Sequence, residues 1–258
     1  MTKMFKNLFI LCLIFITPVF ISKSYASFSF NLQNKVISLG SKNQSSTAKI
    51  KNTSAKPIAV NLTIKRSLFD NFGNESHDDI GNDLFSIYPS QLILMPGESE
   101  FVQINWLGPT DLKSELMFRL IAREQALDLS SLMPLTSANK KSSGSSGDIS
   151  VIITYQLSLY VKPKNSKYNI ELRNTEFKVN NVGDNIIRFV LVNNGNAHLK
   201  PKTVQFYIKD NISKKEIEFT HSKFVTIMPD SQFYFDFVLD KDQKPQNFGK
   251  YPRFTYEK

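Results

Sequence analysis

The chain has 258 residues, of which 41% are hydrophobic and 12% aromatic, and its formal net charge is +9. This composition is typical of a soluble protein with real hydrophobic cores, and the length allows two domains of ordinary size. The single cysteine, Cys12, excludes an intrachain disulfide. Because Cys12 lies in the leader described next, the rest of the chain has no cysteine nucleophile and no zinc–thiolate site.

The first 26 residues have the features of a cleavable secretory signal. Lys3 and Lys6 precede an apolar run at residues 8–21, and Ser24-Tyr25-Ala26 places small residues where a signal peptidase cleaves. The run is too short for a membrane span, which needs about 20 residues. We therefore expect export, a mature chain that begins near Ser27, and no stable membrane insertion. Loss of the leader removes three lysines and no acid, which lowers the net charge from +9 to +6.

From residue 27 onward, short alternating runs are separated by turn residues, and no long stretch has helical periodicity. About seven such runs precede residue 161, a typical strand count for one β-sandwich. The polar segment KPKNSK predicts a linker at residues 162–168, after which the pattern restarts. The sequence therefore predicts an all-β protein with an N-terminal domain at residues 27–161 and a smaller domain at residues 169–258.

Two local features add to this outline. Pro96-Gly97, in LMPGESEFVQINW, predicts the turn of a hairpin between two strands. The segment IRFVLVNNGNAHL echoes AKIKNTSAKPIAV, because each consists of a strand, an Asn-rich turn and another strand. We therefore expect two sandwiches that are built on one plan.

Residues that could carry catalysis are few. The three histidines, His77, His198 and His221, are far apart in the sequence, which favours surface or loop positions over a metal site. The S-x-x-K pattern occurs at Ser46–Lys49, in an alternating strand, and at Ser137–Lys140, in a loop, whereas an acyl-serine pair needs a helix start. There is no G-x-S-x-G sequence and no phosphate-binding loop. We expect a protein without catalysis, metal or cofactor.

The lysines are scattered singly along the strands, which is typical of a solvated basic surface. Export makes nucleic acid a poor partner, so we expect no nucleic-acid binding. The segment DISVIITYQLSLYVKP, residues 148–163, is different because one alternating set is strongly apolar: Ile149, Val151, Ile153 and Tyr155. This set is either part of the domain's own core or the side of an edge strand that is offered to a partner.

The order of these segments resembles the PapD-like periplasmic chaperones of pilus and fimbrial assembly. The likeness rests on a signal peptide and early strand, KIKNTSAKPIAVNLTI, YPSQLILMPGESEFVQINW, ELMFRLIARE, and a strand that ends in YVKP. The resemblance implies two immunoglobulin-like β-sandwich domains in a boomerang arrangement. It also implies that the chaperone lends a strand to a pilus subunit, and the residues that match the donated side chains are Ile149, Val151 and Ile153.

The resemblance also implies roles for individual polar residues. Two basic residues of the family hold the subunit's C-terminal carboxylate; Lys35 matches the first, whereas the second falls on Ser158, which carries no charge. The family ties its domains together with a Glu, a basic residue and an Asp. Glu115 and Lys162 match the first two, and the third falls near Asn247.

The leading hypothesis is therefore a periplasmic chaperone that binds fimbrial subunits by donor-strand complementation and delivers them to an outer-membrane usher. One alternative is a secreted two-domain β-sandwich adhesin or structural subunit, in which the apolar set is simply core. Another is a periplasmic hydrolase that uses Ser46 and Lys49.

Overall fold

The computed structural model describes residues 27–41, 44–126, 151–241 and 243–258. These residues form four sheets, together with one four-residue helix, α1 (Gly81–Leu84), and a 3-10 turn at Pro245–Asn247. The expected signal at residues 1–26 lies outside them. Within the described ranges, none of the helical segments has the length and apolar character needed to cross a membrane.

The first half of the chain forms two sheets. One has the strand order β1-β3-β8-β6, and the other has the order β2-β10-β9-β4-β5 with β7 also paired to β4. The strands are β1 (Phe28–Leu32), β2 (Val36–Ser38), β3 (Ser45–Asn52), β4 (Ile58–Phe69), β5 (Glu75–Asp78), β6 (Phe85–Tyr88), β7 (Gln91–Leu94), β8 (Ser99–Trp106), β9 (Leu116–Gln125) and β10 (Thr154–Lys162).

Alternation along the strands builds the first core. In β3, Ala48 and Ile50 are fully buried between the sheets. The centre of the core is an aromatic group of Phe85, Trp106 and Phe118, whose ring centroids lie 4.9–5.9 Å apart in edge-to-face contacts. Complete burial of one such side chain contributes about 1.5–3 kcal/mol, so these three rings are a main source of the sandwich's stability.

The second half forms two three-stranded sheets with the orders β11-β12-β15 and β14-β13-β16. Its core is separate from the first and consists largely of phenylalanines packed between the sheets. Two such cores match the predicted architecture, while the exact domain limits and the linker stay a prediction. The strands are β11 (Ile170–Val179), β12 (Asn185–Asn193), β13 (Thr203–Lys209), β14 (Glu216–His221), β15 (Ser231–Val238) and β16 (Arg253–Glu257).

Each sandwich has a corner built on one buried asparagine. In the first, the Nδ2 group of Asn52 donates to the carbonyl oxygens of Lys56, at 2.8 Å, and Leu94, at 2.9 Å. In the second, Nδ2 of Asn193 donates to the carbonyl oxygens of Ala197 and Ile227, at 2.8 and 3.1 Å. The echo seen in the sequence is therefore one structural corner that is used twice.

The predicted hairpin at Pro96-Gly97 is wrong. Strand β7 before the turn pairs with β4, whereas β8 after the turn pairs with β3 and β6 in the opposite sheet. The turn itself is present, because the Glu98 amide donates to the Met95 carbonyl at 3.0 Å and Gly97 adopts a φ of 80°. The chain thus crosses from one sheet to the other at this point. A turn within one sheet and a turn between two sheets have the same local chemistry, so the sequence does not distinguish them.

Candidate functional site: a free strand edge and the cleft beside it

Strand β10 has one covered edge and one edge that is mostly free. On one side it pairs with β9 over eight consecutive residues, Thr154 to Val161. On the other side it pairs with β2 over its last three residues only. The first half of β10 is therefore an edge strand of its sheet.

Backbone polar groups alternate between the two edges of a strand, so the free groups can be assigned. The carbonyl oxygen of Ile153 accepts from the Glu124 amide of β9 at 2.9 Å, whereas the Tyr160 amide donates to the Lys35 carbonyl on the opposite side at 2.8 Å. Odd-numbered residues thus bond to β9, and even-numbered ones point away from it. Three residues direct backbone N–H and C=O groups to an edge beside which no described strand lies: Thr154, Gln156 and Ser158.

The apolar set on this strand is divided between two environments. Tyr155 and Ile153 are partly buried against the first core, and the Tyr155 ring meets Phe28 edge to face at 4.9 Å. Val151 is 74% exposed and Ile152 is 48% exposed. Ile149 lies outside the described residues. Tyr155 and Ile153 thus belong to the protein's own core, whereas Val151 is open to solvent.

The two expected anchors lie close to this edge. Lys35 is exposed, immediately before β2, and its carbonyl holds Tyr160 as described. Ser158 does not stand alone, because Nη1 of Arg119 on β9 donates to its Oγ at 2.6 Å. Arg119 also forms a bidentate ion pair with Glu75, in which Nε lies 2.6 Å from Oε1 and Nη2 contacts Oε2.

This ion pair sets the electrostatics beside Ser158 of β10. Burial alone would raise the pKa of Glu75, but the hydrogen bonds and charge of Arg119 outweigh it and hold that pKa below its usual value. The Arg119 pKa is raised by its hydrogen bonds to Glu75. Burial raises the pKa of Tyr160, so its hydroxyl stays neutral beside the pair. A positive charge therefore lies beside Ser158, and it is already paired with the carboxylate of Glu75.

Glu115 and Lys162 meet at the junction between the sandwiches, but the third partner differs from the expected one. The Glu115 carboxylate is fully buried, with Oε1 at 3.6 Å from Nζ of Lys162. Its Oε2 accepts two bonds from His198 of the second sandwich, from the backbone amide at 2.8 Å and from Nδ1 at 2.9 Å. Asn247 takes no part here, because its carbonyl instead accepts the amide of Asn211.

His198 lies in a loop, as the sequence predicts, but its ring is held by contacts that the sequence did not predict. Its ring stacks on Tyr160 of β10 with centroids 4.4 Å apart and an interplanar angle of 11°. One residue before Glu115, Oγ of Ser114 donates to Oδ2 of Asp230 in the second sandwich at 2.6 Å. The only sequence signal for these two contacts is that His198 and Asp230 both lie in the turns of the Asn193 corner.

A second junction between the sandwiches lies at the tip between β4 and β5. The Asn71 carbonyl accepts the Tyr234 amide of β15 at 2.7 Å, and the rings of Phe72 and Tyr234 meet edge to face at 5.3 Å. Arg188 lies over both rings, at 5.1 and 4.5 Å, and is held by a bidentate pair with Asp236. Nothing in the sequence pattern pointed to this contact.

The residues of the hydrolase alternative do not come together. Ser46 is buried and its Oγ donates to the Asn34 carbonyl at 2.5 Å. Lys49 is exposed, with Nζ over the Phe101 ring at 5.5 Å. Because they are three residues apart in one strand, their side chains lie on opposite faces of the sheet. Ser137–Lys140, the other occurrence of the pattern, falls outside the described residues.

Comparison with known proteins bears on the fold. No protein-family model and no curated protein matches this sequence. Among solved structures, the class 5 fimbrial chaperone CfaA matches with a TM-score of 0.51 and 18% identity over 89% of this chain and 99% of its own. The chain has the fold of CfaA.

Two further structures give the same result. A chain of the chaperone–tip adhesin complex of CFA/I fimbriae matches with a TM-score of 0.52 and 15% identity, over 89% of this chain and 98% of that chain. A chain of the CsuC–CsuE chaperone–tip subunit pre-assembly complex from Acinetobacter baumannii matches with a TM-score of 0.52 and 13% identity, over 88% and 97%. The prediction of an all-β protein with two sandwich domains is confirmed.

Proposed function

We propose that this protein is a periplasmic chaperone that binds fimbrial subunits by lending them strand β10 and delivers them to an outer-membrane usher. The observation that carries the proposal is the edge of β10, beside which no strand lies among the described residues, together with an exposed Val151. The likeness of fold to CfaA and to chains of two chaperone–subunit complexes supports the same role.

The physics of the free edge suits an incomplete sandwich as the partner. A strand edge satisfies the backbone groups of an extended chain, and alternate side chains fill pockets in its core. An exposed edge with apolar side chains is otherwise an aggregation hazard, so it is expected where pairing has a purpose. Ile149 and Val151 would enter the subunit, whereas Ile153 and Tyr155 would join the subunit's core to the chaperone's own core.

A second element is an anchor for the subunit's C-terminal carboxylate in the space between the two sandwiches, which we call the cleft. Lys35 is exposed beside β10, and Arg119 brings to Ser158 the positive charge that Ser158 lacks. Guanidinium and carboxylate groups form strong bidentate pairs. Glu75 already occupies that fork, so an arriving carboxylate would compete with it or bind the remaining donors together with Lys35.

The two junctions between the sandwiches complete the proposal, because they fix the cleft walls before a subunit arrives. A preformed site avoids the entropic cost of ordering those walls on binding. The capture of a subunit requires no catalysis, metal or cofactor, and nucleic acid has no part in it. The alternative, a secreted β-sandwich adhesin or structural subunit, requires the edge of β10 to remain unpaired or to pair within a fibre.

Co-expression in the periplasm with a fimbrial subunit from the same organism tests the proposal. The wild-type protein should yield a soluble one-to-one complex, measured by affinity capture and size-exclusion chromatography. Val151→Asp should reduce capture at least tenfold without unfolding the chaperone, because Val151 is exposed. Val182→Asp is the matched control, since Val182 is 82% exposed in the second sandwich, and it should capture normally. Arg119→Gln in the same assay should weaken capture if the carboxylate is anchored there.

Two results would overturn the proposal. If the subunit aggregates regardless of wild-type chaperone, the protein is not its chaperone. If Val151→Asp captures as well as Val182→Asp, then β10 is not the donated strand and the adhesin or structural reading gains support.

A further inference from the structure

Three strands of each sheet correspond between the two sandwiches. Among the described residues, β2, β6, β7 and β10 of the first have no counterpart in the second, and the difference at β10 leaves a strand edge free. The antiparallel ladders β1-β3-β8 and β5-β4-β9 of the first match β11-β12-β15 and β14-β13-β16 of the second. The asparagine corner lies at the same place in each. In the first sandwich β10 continues the second ladder beyond β9. Among the described residues, no strand takes the corresponding place beside β16.

The core of the second sandwich is open on that side. Leu172 and Phe177 of β11 face the core, opposite Leu191 and Ile187 of β12, yet both are only partly buried. The inward-facing aromatics of β16, at positions 254 and 256, are also only partly buried, whereas their neighbours on β13 are completely buried. The seam between β11 and β16 therefore exposes apolar surface that a further strand would cover.

A groove of about 550 Å³ runs along this seam, between β11 and the segment that leads into β16. At one end Phe177 stacks on Phe248 with ring centroids 5.3 Å apart. Thr175 lines the groove, and its Oγ1 atom is buried beneath it without a hydrogen-bond partner among the described residues. Buried polar atoms are normally hydrogen-bonded, so the packing under the groove is incomplete.

The charges around the groove are of one sign. Arg173 and Lys250 both line it, and none of the residues that line it is acidic. Arg173 lies at an irregularity in the pairing of β11 with β12, between Leu172 and Asn174, where the ladder is interrupted. A ligand here therefore meets apolar side chains in the floor and positive charges at the rim.

We propose that the seam between β11 and β16 binds an extended strand of a partner protein, with alternate apolar side chains in the core and acidic side chains towards Arg173 and Lys250. One wall is the edge of β11 that faces away from β12, whose backbone groups need pairing, and this favours an extended polypeptide over a helix or a small molecule. The first sandwich shows which occupant the corresponding place accepts, because β10 fills it there. At β10 the protein would give a strand, whereas at this seam it accepts one.

A synthetic peptide provides the direct test. The probe is a capped nine-residue peptide in which Val alternates with Glu, and the control peptides replace the central Val with Pro or every Glu with Lys. Binding is measured by fluorescence anisotropy, and the site is mapped by amide hydrogen exchange on the full chain. We expect saturable binding of the Val/Glu peptide, with slower exchange in β11 and β16, and binding at least tenfold weaker for both controls.

Matched variants of the protein locate the site. The double change Arg173→Glu and Lys250→Glu should weaken binding of the Val/Glu peptide at least tenfold and improve binding of the Val/Lys peptide. Lys51→Glu, on an exposed position of the first sandwich, should change neither by more than twofold. Val151→Asp should also leave the affinity unchanged, so failure here is distinguishable from failure of the proposed subunit capture.

Three outcomes would overturn the proposal. The first is no binding of the Val/Glu peptide, and the second is slower exchange confined to the β10 edge. The third is slow exchange of β11 and β16 in the protein alone, because the seam would then already be filled. Loss of that slow exchange on dilution would identify the occupant as a second copy, and its persistence would identify a segment of the same chain.

Discussion

The corners of the two sandwiches share one design, and two of the residues in which they differ decide their contacts. Asn52 and Asn193 each donate to the carbonyl four residues later and to the carbonyl of a residue just before the crossing turn, Leu94 or Ile227. Five residues after each asparagine stands Pro57 in the first corner and His198 in the second. The crossing turns have the sequences MPGE and MPDS, and Gly97 and Asp230 are the third residue of each. Both residues have a positive φ, of 80° and 53°.

The differing residues make the second corner part of the junction between the sandwiches. His198 reaches Glu115, and Asp230 accepts a bond from Ser114. Around Gly97 there is only open space, with nothing within 4 Å of the place where a Cβ would lie. The comparison teaches that one buried asparagine holds the corner, and that its turns are free to acquire an unrelated task.

The largest effect should come from the asparagines themselves. Asn52→Ala and Asn193→Ala each remove the two bonds that a buried amide donates and the bonds that its Oδ1 accepts from neighbouring residues, and we expect each to lower the free energy of unfolding by about 2–4 kcal/mol. Chemical denaturation, with hydrogen exchange to assign the loss to one sandwich, measures the effect. If only one of the two changes is costly, the corners are not equivalent and the comparison breaks down.

The second effect separates the corners. His198→Ala removes a ring that donates to a buried carboxylate and stacks on Tyr160, and it should cost about 1.5–3 kcal/mol. Pro57→Ala, at the matching place, removes no hydrogen bond and should cost less than about 1 kcal/mol. A double-mutant cycle with Glu115→Gln measures the coupling, and additivity of the two changes would show that His198 does not act through Glu115.

The smallest effect concerns the two positive-φ residues. Gly97→Ala should cost about 1 kcal/mol, because a side chain disfavours this backbone conformation. Asp230→Gly removes that strain but also the bond from Ser114, so its net effect should lie within about 0.5 kcal/mol of zero. In a Ser114→Ala background the bond is already absent, and Asp230→Gly should then stabilise by about 1 kcal/mol. Equal effects in both backgrounds would mean that the bond contributes nothing.

The sequence predicted what depends on alternation and order, and missed what depends on distant pairing. Runs of alternating residues predicted most of the strands and both sandwiches. The resemblance to the chaperone family predicted that Glu115 and Lys162 lie together. Pro96-Gly97 misled because a turn has the same local chemistry whether its strands join one sheet or two.

The contacts of His198 and Arg119 could not be predicted from the sequence for a related reason. Their partners lie 83 and 44 residues away and are fixed only when the sheets have packed. No short-range pattern distinguishes such a histidine or arginine from one on a solvated surface. The echo between the two asparagine corners was readable, because there the whole device is repeated within a few residues of each asparagine.

The contact of the β4–β5 tip with β15 has a mechanical consequence. Two bodies joined at one place can swing in every direction, and joined at two places they can turn only about the line through both. Here the second sandwich is held by the chain itself, by Ser114 and Glu115, and by Asn71 and Phe72. The first two of these lie at one place, because Lys162 at the start of the connecting segment contacts Glu115. The sandwiches are therefore joined at two places, and the relative motion left to them is rotation about the line through both.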